Sequence, residues 1–376
     1  MPSPKEKEPP LVAHIVYRFD YGGLENGLVN LINTMPADAA RHVVISLTEP
    51  GGIVQRLTRT DVAVYNLQKK PGKDPAAYIR LFRLLRTLNP DVVHTRNFGT
   101  LDCQLVAFLA GVPNRLHGEH GWDVHDPLGK NRKYRYLRRL LSPLVHKFIV
   151  LSHELQMWMI EVVGISSAKV ERICNGVDTD RFKPSAKSGQ KGKSLVFGSV
   201  TRFTEIKDPL NTIRGFFQLK SKFHGNTASP RLLMVGDGHL RADALDMISE
   251  SGMEQNVCLV GSQLDVGPWL EKMDVFVMGS KREGISNTIL EAMASGLPVI
   301  ATNTGGNPEL VEAGQTGMIV ETENPNALAE AMATYSTNPD MISQHGRKAR
   351  ERVLKLFSLK TMVDRYTRIY NPSYIS

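Results

Sequence analysis

The 376-residue sequence predicts an α/β protein made of two Rossmann-like domains, each with a doubly wound parallel sheet. Short apolar segments rich in β-branched residues alternate with amphipathic helical patterns in both halves of the chain. The polar, turn-rich segment 184–194 separates the two series, as an interdomain linker does. The length also favours two domains, because it exceeds what one hydrophobic core usually supports.

The strands of the first domain are predicted at 11–17, 42–47, 62–67, 91–95, 115–119 and 147–151. Between them, segment 76–88 has the spacing of an amphipathic helix, with one apolar face formed by Tyr78, Leu81, Phe82, Leu85 and Leu88. The strands of the second domain are predicted at 195–200, 232–236, 257–260, 275–278 and 299–301. Ligands of such sheets bind beyond the carboxyl ends of the strands, so we expect functional residues in the loops that follow them.

The composition excludes several classes of protein. Hydrophobic residues make up 41% of the chain and charged residues 22%, which is ordinary for a globular protein and argues against disorder or a fibrous fold. The polar, proline-rich segment 1–10 lacks the apolar core of a signal peptide, and no apolar run reaches transmembrane length. The three cysteines form no Cys-x-x-Cys pair, which fits a reducing compartment. We therefore expect a cytoplasmic protein.

The net charge of +8 is distributed unevenly along the chain. Residues 1–183 hold 25 basic and 18 acidic side chains, whereas residues 184–376 hold 21 and 20. Such an asymmetry points to an anionic partner for the first half, which could be a membrane, a nucleic acid or a polyanionic substrate.

The most informative segment is 281–300, which places Glu283 and Glu291 eight residues apart around a predicted helix start. One site could receive a carboxylate from the loop and a second from the helix face. The amides of residues 284–288 at the helix start would favour an anion. Carboxylates suited to hydroxyl groups, beside amides suited to phosphate, indicate a nucleotide sugar.

This segment resembles the Glu-x7-Glu signature of retaining glycosyltransferases of family 4, which have the GT-B fold. The resemblance continues through Gly-Leu-Pro-Val-Ile-Ala-Thr at 296–302, Gly-Gly-Asn-Pro-Glu-Leu-Val at 305–311 and Gly-Gln-Thr-Gly-Met at 314–318, and it covers roughly residues 11–370. It implies two Rossmann-like domains that face each other across a deep cleft. A C-terminal helix would cross back to the first domain.

The resemblance assigns a role to both glutamates. Glu291 would bind the ribose hydroxyls of the donor, and Glu283 would bind the donor sugar together with the backbone amides of Ile285, Ser286 and Asn287. These five residues are the predicted centre of the nucleotide-sugar site.

A second motif, at 199–208, follows the first strand of the second domain. It resembles the family's Gly-Arg-(x)n-Lys phosphate clamp, in which Arg202 and Lys207 would bind the diphosphate and neutralise the charge that grows on the leaving group. This sequence has Val200-Thr201 where the family often has glycine before the arginine. Two basic loop residues are otherwise most often simply solvated.

Glycine-rich turns follow three further strands. Gly22 and Gly23 resemble the family's Gly-Gly-x-Glu turn and would let a ligand approach the backbone at a helix start, although a tight turn alone would also explain them. The turn at 236–238 fits a scaffold role. The backbone of Val260 and Gly261 would contact the base of the nucleotide.

The family also places a histidine after the strand at 115–119, beside the donor sugar, and His120 fits that position better than His117. His117 lies within the strand, where a packing role is expected. His120 would position a sugar hydroxyl or move a proton near the leaving oxygen. The predicted catalytic residues are thus His120, Glu283, Arg202 and Lys207.

No metal ion or cofactor is expected. Asp178 and Asp180 form an Asp-x-Asp pattern that could suggest a divalent cation, but they lie in the Asn-Gly-Val-Asp run that the family carries near its interdomain connection. No further cluster of histidine, cysteine or acidic residues completes a metal site.

Segment 130–147 carries seven basic residues and no acidic one, with apolar residues interleaved at helical spacing. It is typical of a helix that lies on an anionic membrane surface, with Arg132, Lys133, Arg138 and Arg139 turned towards the lipid. A helix that buries its leucines and solvates its arginines explains the pattern about equally well.

These observations predict a retaining, metal-independent transferase that moves a sugar from a nucleoside-diphosphate donor to a saccharide, or to a lipid-linked acceptor. The first half most resembles bacterial transferases of exopolysaccharide and PEP-CTERM (exosortase) systems. The alternatives are another GT-B enzyme, such as a nucleotide-sugar epimerase or a phosphorylase, and a polyanion-binding protein without enzymatic activity. No nucleic-acid motif accompanies the positive charge.

The predicted domain organisation has four parts. Residues 11–183 form the acceptor domain, 184–194 the linker, 195–355 the donor domain and 356–376 the crossing helix.

Overall fold

The computed structural model describes residues 8–123, 126, 128–185, 194–222 and 229–374. The chain divides into two units. The first comprises Met1–Gly176 and Leu359–Ser376, and the second comprises Val177–Ser358. Most of the predicted linker, residues 186–193, and residues 1–7 of the opening segment lie outside the described residues.

The first unit contains a seven-stranded parallel sheet in its described residues, with the strand order β3-β2-β1-β4-β5-β6-β7. The strands are β1 (Leu11–Val16), β2 (Arg41–Ser46), β3 (Ala63–Asn66), β4 (Val92–Arg96), β5 (Asn114–Glu119), β6 (Lys147–Val150) and β7 (Val170–Arg172). The α-helices before the crossing to the second unit are α1 (Gly23–Thr34), α2 (Pro75–Leu88), α3 (Cys103–Leu109), α4 (Arg132–Leu141) and α5 (His153–Met157). A π-helical turn, Trp158–Val163, extends α5.

The second unit contains a six-stranded parallel sheet in its described residues, with the order β10-β9-β8-β11-β12-β13. Its strands are β8 (Val196–Val200), β9 (Arg231–Val235), β10 (Val257–Gly261), β11 (Val275–Met278), β12 (Val299–Thr302) and β13 (Gly317–Val320). Its helices are α6 (Pro209–Lys222), α7 (Arg241–Glu250), α8 (Gly267–Leu270), α9 (Asn287–Ala294), α10 (Asn307–Leu310), α11 (Pro325–Thr337) and α12 (Pro339–Leu356). The last helix, α13 (Leu359–Tyr370), belongs to the first unit.

The predicted α/β fold with two Rossmann-like domains is confirmed. Every strand predicted from an apolar run is present, with ends that differ by at most one residue. The short edge strands β7 and β13 were not predicted.

Helix α2 shows how local sequence sets an element. Asp74 caps its first turn by accepting a hydrogen bond from the backbone of Ala77, Pro75 occupies the first helical position, and Asn89 ends the helix in a left-handed conformation. Its apolar face is buried as predicted at Leu81 and Leu85. Phe82, which belongs to the same face by its spacing, is 38% exposed.

Helix α13 completes the core on one face of the first sheet. Its buried residues, Met362, Val363, Tyr366 and Tyr370, pack against Val12, Val92, Leu116 and Ile149 from four different strands. Burying one such aliphatic side chain stabilises a fold by roughly 1.5–3 kcal/mol. The helix is therefore an integral part of the first unit.

The boundary between the first and the second unit lies after Gly176. This is earlier than the predicted end of the acceptor domain at residue 183. The reason is a set of backbone contacts within the second unit. The amide of Val177 donates to the carbonyl of Phe357, and Arg350 donates to the carbonyls of Thr179 and Phe182. Segment 177–182 is thereby held by α12.

Candidate functional site

Two loops of the second unit bring predicted site residues into direct contact. Lys207 lies after β8 and Glu283 after β11, and the Lys207 Nζ to Glu283 Oε2 distance is 2.6 Å. The hydroxyl of Ser280 donates to the other carboxylate oxygen at 2.7 Å. The Glu283 side chain is 4% exposed and the Lys207 side chain 20% exposed. The carboxylate of the pair is thus fixed and buried, whereas the lysine side chain is still partly exposed.

The backbone joins these two loops. The amides of Lys281 and Arg282 both donate to the carbonyl of Ile206, at 2.9 and 3.3 Å. From the neighbouring strand β12, the hydroxyl of Thr302 donates to the carbonyl of Ser280 at 2.6 Å. The carboxylate and the ammonium therefore rest on a common backbone framework at the carboxyl end of the sheet.

The glycine pair at 305–306 supports the Glu283 loop from behind. Gly305 has a φ of +53° and lies so close that an added Cβ would be 1.9 Å from the Glu283 carbonyl oxygen. A Cβ on Gly306 would be 2.2 Å from Cδ1 of Ile285, and the Gly306 amide donates to the carbonyl of Gly284. These glycines permit the close approach that fixes the loop.

A second glycine turn supports Arg202. Gly236 has a φ of +135°, and a Cβ there would be 1.8 Å from the carbonyl oxygen of Thr201. The amide of Phe203 donates to the carbonyl of Asp237, so residues on both sides of Arg202 are held by this turn. The turn at 236–238 therefore acts as scaffold, as the sequence indicated. Arg202 itself is exposed and forms no ion pair with the described residues.

Glu291 lies on helix α9, in its second turn. The hydroxyl of Ser286 caps the helix by accepting from the amide of Ile289 at 3.4 Å. Asn287 is the first residue of the helix, so the cap places Ile285, Ser286 and Asn287 directly after the Glu283 loop. The predicted set from Glu283 to Glu291 thus occupies one loop and the first two turns of one helix.

The predicted base contacts lie at the end of another strand. Val260 and Gly261 close β10, where Gly261 has a φ of +84° and accepts a hydrogen bond from the amide of Gly236. This bond connects the end of β10 to the glycine turn behind Arg202.

In the first unit, Gly22 and Gly23 lie at the start of helix α1. Gly22 is its N-cap residue and has an extended backbone with a φ of −165°, which any residue can adopt. A Cβ at this position would lie 2.2 Å from Oε2 of Glu25, so the Glu25 side chain would have to move to accommodate it. The Glu25 carboxylate folds back over the turn, and burial raises its pKa. Glu25 therefore occupies the helix start, where an anion was expected.

His120 follows β5 directly. Its backbone amide donates to Oδ1 of Asn97 at 2.8 Å, and the amide of Asn97 donates to the carbonyl of Gly118 at 2.7 Å. The ring is half-buried, and its Nε2 is enclosed without a hydrogen-bond partner among the described residues. Burial and the positive charge of Arg96 lower the pKa of His120 to about 3, so the imidazole is neutral at physiological pH.

Two family models match consecutive parts of this chain. The model for glycosyltransferase family 4 matches residues 21–181, and the model for glycosyl transferases group 1 matches residues 194–338. Together they span both units. The chain belongs to the family 4 glycosyltransferases.

Curated relatives agree with this assignment. The chain is 28% identical over 313 residues to the UDP-Gal:alpha-D-GlcNAc-diphosphoundecaprenol alpha-1,3-galactosyltransferase of Escherichia coli, covering 79% of each protein. It is 24% identical over 321 residues to the N-acetyl-alpha-D-glucosaminyl L-malate synthase of Bacillus anthracis, covering 81% of each.

Solved structures share the fold. HepE from Anabaena in complex with UDP superimposes with a TM-score of 0.81 and 19% identity, covering 96% of this chain and 99% of the other. A glycosyltransferase from Rickettsia africae also gives 0.81, with 20% identity and coverage of 97% and 99%. The GT-B fold class that the sequence predicted is thus confirmed.

The basic segment of the transferase forms α4, and one of its arginines does not behave as predicted. Arg138 is 3% exposed and donates to both oxygens of Glu119, at 2.5 and 3.2 Å. Its guanidinium also lies 4.7 Å from the ring centre of Phe98 and 5.2 Å from that of Trp158. The prediction that Arg138 faces a membrane is therefore wrong, because a buried carboxylate attracts it inward.

Glu119 and His117 lie on the same side of β5. Burial alone would raise the pKa of Glu119, but the charges of Arg138 and His117 and their hydrogen bonds lower it to about 2. His117 is fully buried and bonds to both Thr95 and Glu119, which gives it the packing role expected of a strand residue. These contacts fix the end of β5, which leads into His120, on this side of the sheet.

A buried polar network on the other side of the same sheet was not predicted from the sequence. It consists of His14, His42, His94, Arg96 and Tyr370, all 2% exposed or less. A polar residue at an inward strand position, as at His14, His94 and Arg96, was the available signal.

Among the described residues of the transferase, no group of three or more histidine, cysteine or acidic side chains is placed to hold a metal ion. Asp178 of the Asp-x-Asp pattern instead accepts hydrogen bonds from the amides of Asp180 and Arg181. In the same ranges, no helix is both long enough and apolar enough to cross a membrane.

Proposed function

We propose that this transferase moves a sugar from a nucleoside-diphosphate donor to a saccharide or lipid-linked acceptor, with retention of configuration and without a divalent metal. The contact between Lys207 and Glu283 supports this proposal most directly. It holds a cation and a carboxylate next to each other in the loops that follow β8 and β11, where ligands of parallel sheets bind.

In this proposal each group has a defined task. Lys207 and Arg202 bind the diphosphate and stabilise the negative charge that grows on it as the sugar leaves. Glu283 and the amides of Ile285 to Asn287 orient the sugar, and Glu291 binds the ribose. His120 contacts the donor sugar. Because two cations neutralise the leaving group, no metal is required for that step.

The partner classes rest on the relatives. The E. coli relative is named for a UDP-galactose donor and an undecaprenol-diphosphate acceptor, and the Anabaena structures hold UDP or UDP-glucose. A putative glycosyltransferase of Bacillus subtilis, EpsF, is 23% identical over 90% of this chain. These names favour a uridine nucleotide sugar and a role in cell-surface or exopolysaccharide synthesis. A role in a PEP-CTERM (exosortase) system is proposed from the sequence resemblance of the first half alone.

Calorimetry with purified protein in EDTA tests the donor proposal. Selective binding of one nucleoside-diphosphate sugar, followed by transfer to a saccharide or polyprenyl-diphosphate saccharide in EDTA, is the expected result. NMR of the product should show the anomeric configuration of the donor. An inverted linkage would refute retention, and transfer that requires added Mg²⁺ or Mn²⁺ would refute metal independence.

We also propose that the transferase docks on an anionic membrane, at its cytoplasmic surface, through one side of α4. The exposed residues Arg132, Lys133, Tyr136, Arg139 and Leu140 recur at helical spacing and form what we call the basic face. Tyr136 is 64% exposed and Leu140 55% exposed. Cations beside exposed apolar side chains are the combination that binds an anionic lipid surface.

Sedimentation with vesicles tests this second proposal. Each basic residue near an anionic surface contributes about 1 kcal/mol, so reversing the three cations of the basic face should lower partitioning about 100-fold. The matched control reverses three exposed cations of the second unit, Lys272, Arg347 and Lys355. Equal loss in both triple variants would show nonspecific attraction and refute docking through α4.

A further inference from the structure

A buried arginine connects two histidines inside the first unit. NH1 of Arg96 lies 3.1 Å from Nδ1 of His14, and NH2 lies 3.3 Å from Nδ1 of His94. The hydroxyl of Tyr370 is 2.8 Å from the same His94 nitrogen. Arg96 has no carboxylate within ion-pair distance among the described residues, so the two histidines and the tyrosine are its main side-chain partners.

The arginine determines which nitrogen of each ring carries the proton. A guanidinium can only donate hydrogen bonds, so the Nδ1 atoms that face it must accept. Neutral His14 and His94 therefore carry their protons on Nε2. From His14 that proton is donated to Nδ1 of His42, 2.9 Å away. Burial lowers the pKa of His94 well below its ordinary value, which keeps this ring neutral.

The Nε2–H of His94 has no acceptor in the hydrogen bonds of the described residues, although the ring is fully buried. The enclosed Nε2 of His120 also lacks a partner there. Both nitrogens lie beside Gly118, since a Cβ on this glycine would be 3.1 Å from Nε2 of His94 and 2.7 Å from that of His120. The Nε2–H of His94 and the neighbouring Nε2 of His120 complete each other by direct contact only if the His120 nitrogen accepts.

We propose that His94 is a positioning residue that selects the tautomer of His120 with its proton on Nδ1. His94 directs its Nε2–H towards Nε2 of His120, which must then be the unprotonated nitrogen. The proton of the neutral His120 ring therefore lies on Nδ1, which forms no hydrogen bond to the described residues.

This tautomer narrows the task of His120 in the proposed transfer, on which the inference rests. An Nδ1–H donates a hydrogen bond and cannot accept a proton. His120 would thus bind an oxygen lone pair of the donor, from a sugar hydroxyl or the phosphate, and would act as a hydrogen-bond donor rather than as a base. No proton is transferred between His120 and the donor in this step.

The tautomer can be measured without any substrate. In protein labelled with [15N]histidine, long-range 1H–15N spectra distinguish protonated from unprotonated ring nitrogens, and loss of a signal in His120→Gln assigns the residue. We expect a protonated Nδ1 in the parent, loss of this preference in His94→Leu and its retention in His94→Gln, whose amide can replace the Nε2 donor. A protonated Nε2 in the parent, or an unchanged preference in His94→Leu, would overturn the inference.

His42→Leu is the matched control. His42 is another buried histidine whose Nε2 lacks a described partner, but it pairs with His14 and not with His120. We expect this variant to keep the His120 tautomer even where it lowers the melting temperature. If His42→Leu shifts the tautomer as much as His94→Leu does, the effect is general loosening and the inference fails.

Kinetics add a second readout once a donor is identified. His94→Leu should lower kcat about tenfold with little change in KM, and His94→Gln should recover most of it. Loss of transfer in all forms of the protein would refute the proposed function, while the spectra would still decide the tautomer. If the His120 tautomer changes in His94→Leu but kcat equals that of the parent, His120 does not act as the hydrogen-bond donor assigned to it.

Discussion

Each unit of this transferase holds a buried glutamate that is paired with a cation. Glu119 ends strand β5 and Glu283 follows strand β11, and the two pairs differ in how fully they are buried. Glu119 and Arg138 meet through two hydrogen bonds, with both side chains 3% exposed or less and aromatic rings on the cation. Lys207 reaches Glu283 through one hydrogen bond and remains one-fifth exposed. The first pair is built to stay closed, whereas the second leaves ammonium protons for an incoming phosphate.

The strongest test of this difference removes the enclosed cation. Arg138→Ala leaves Glu119 buried without its cation and with His117 as its remaining side-chain partner, and such a change costs about 3–5 kcal/mol of stability. Urea unfolding followed by tryptophan fluorescence should detect it, because Trp158 lies beside Arg138. The exposed neighbour provides the control, and Arg139→Ala should stay within about 0.5 kcal/mol of the parent. Equal losses in both variants would contradict the structural role of the pair.

The accessible pair should respond in activity more than in stability. Lys207→Ala removes a cation that stabilises the leaving diphosphate, and we expect kcat to fall about 10²–10³-fold. The loss of unfolding free energy should be smaller than in Arg138→Ala, because Ser280 still donates to Glu283 and the site is partly solvated. Steady-state kinetics and urea unfolding together measure this ratio. Lys272→Ala, an exposed cation of the same unit, should change neither quantity.

Acid should weaken the enclosed pair in a defined range of pH. The folded pKa of Glu119 is about 2, below its ordinary 4.5, so its stabilising contribution is complete above pH 4.5 and is lost as the pH falls towards 2. At about 1.4 kcal/mol per pH unit, the contribution is on the order of 3 kcal/mol. Unfolding free energies measured from pH 5 to pH 2.5 should fall less steeply in Glu119→Gln than in the parent. Parallel curves would show that other carboxylates dominate.

The smallest expected effect concerns the predicted ribose contact. Glu291→Ala should weaken binding of the free nucleoside diphosphate by about 1.5–3 kcal/mol, the usual contribution of a hydrogen bond to a charged group. Calorimetry measures this value, and an unchanged melting temperature shows that α9 is intact. A variant with parental affinity would remove Glu291 from the donor site while leaving the role of Lys207 untouched.

Lys207 and Glu283 were predicted from the sequence as candidate site residues, whereas the pairing of Glu119 with Arg138 was not. The loop residues of the second unit are contiguous in the chain, so Glu283 to Glu291 and their supporting glycines appear as one motif. The glycines at 236 and 305 are explained by close backbone approaches, which leave a glycine in the sequence as their trace.

The enclosed pair left no comparable trace. Arg138 is one of seven basic residues in its segment, and helical spacing alone does not show which of them meets a carboxylate from β5. The network around Arg96 is equally nonlocal, since it joins β1 and β4 to Tyr370, which lies 276 positions after His94 in the chain. Such contacts depend on the relative placement of distant elements, which one sequence does not specify.

That distant tyrosine lies on α13, and the place of this helix has a consequence for synthesis. The ribosome must produce the entire second unit, Val177–Ser358, before it produces the helix that covers the first sheet. Until then, the apolar face around Val12, Val92 and Leu116 lacks its cover. The second unit can therefore finish folding before the first, which reverses the usual order for domains emerging from the ribosome. A newly made chain would depend on chaperones most at its amino-terminal half, until α13 has emerged from the ribosome.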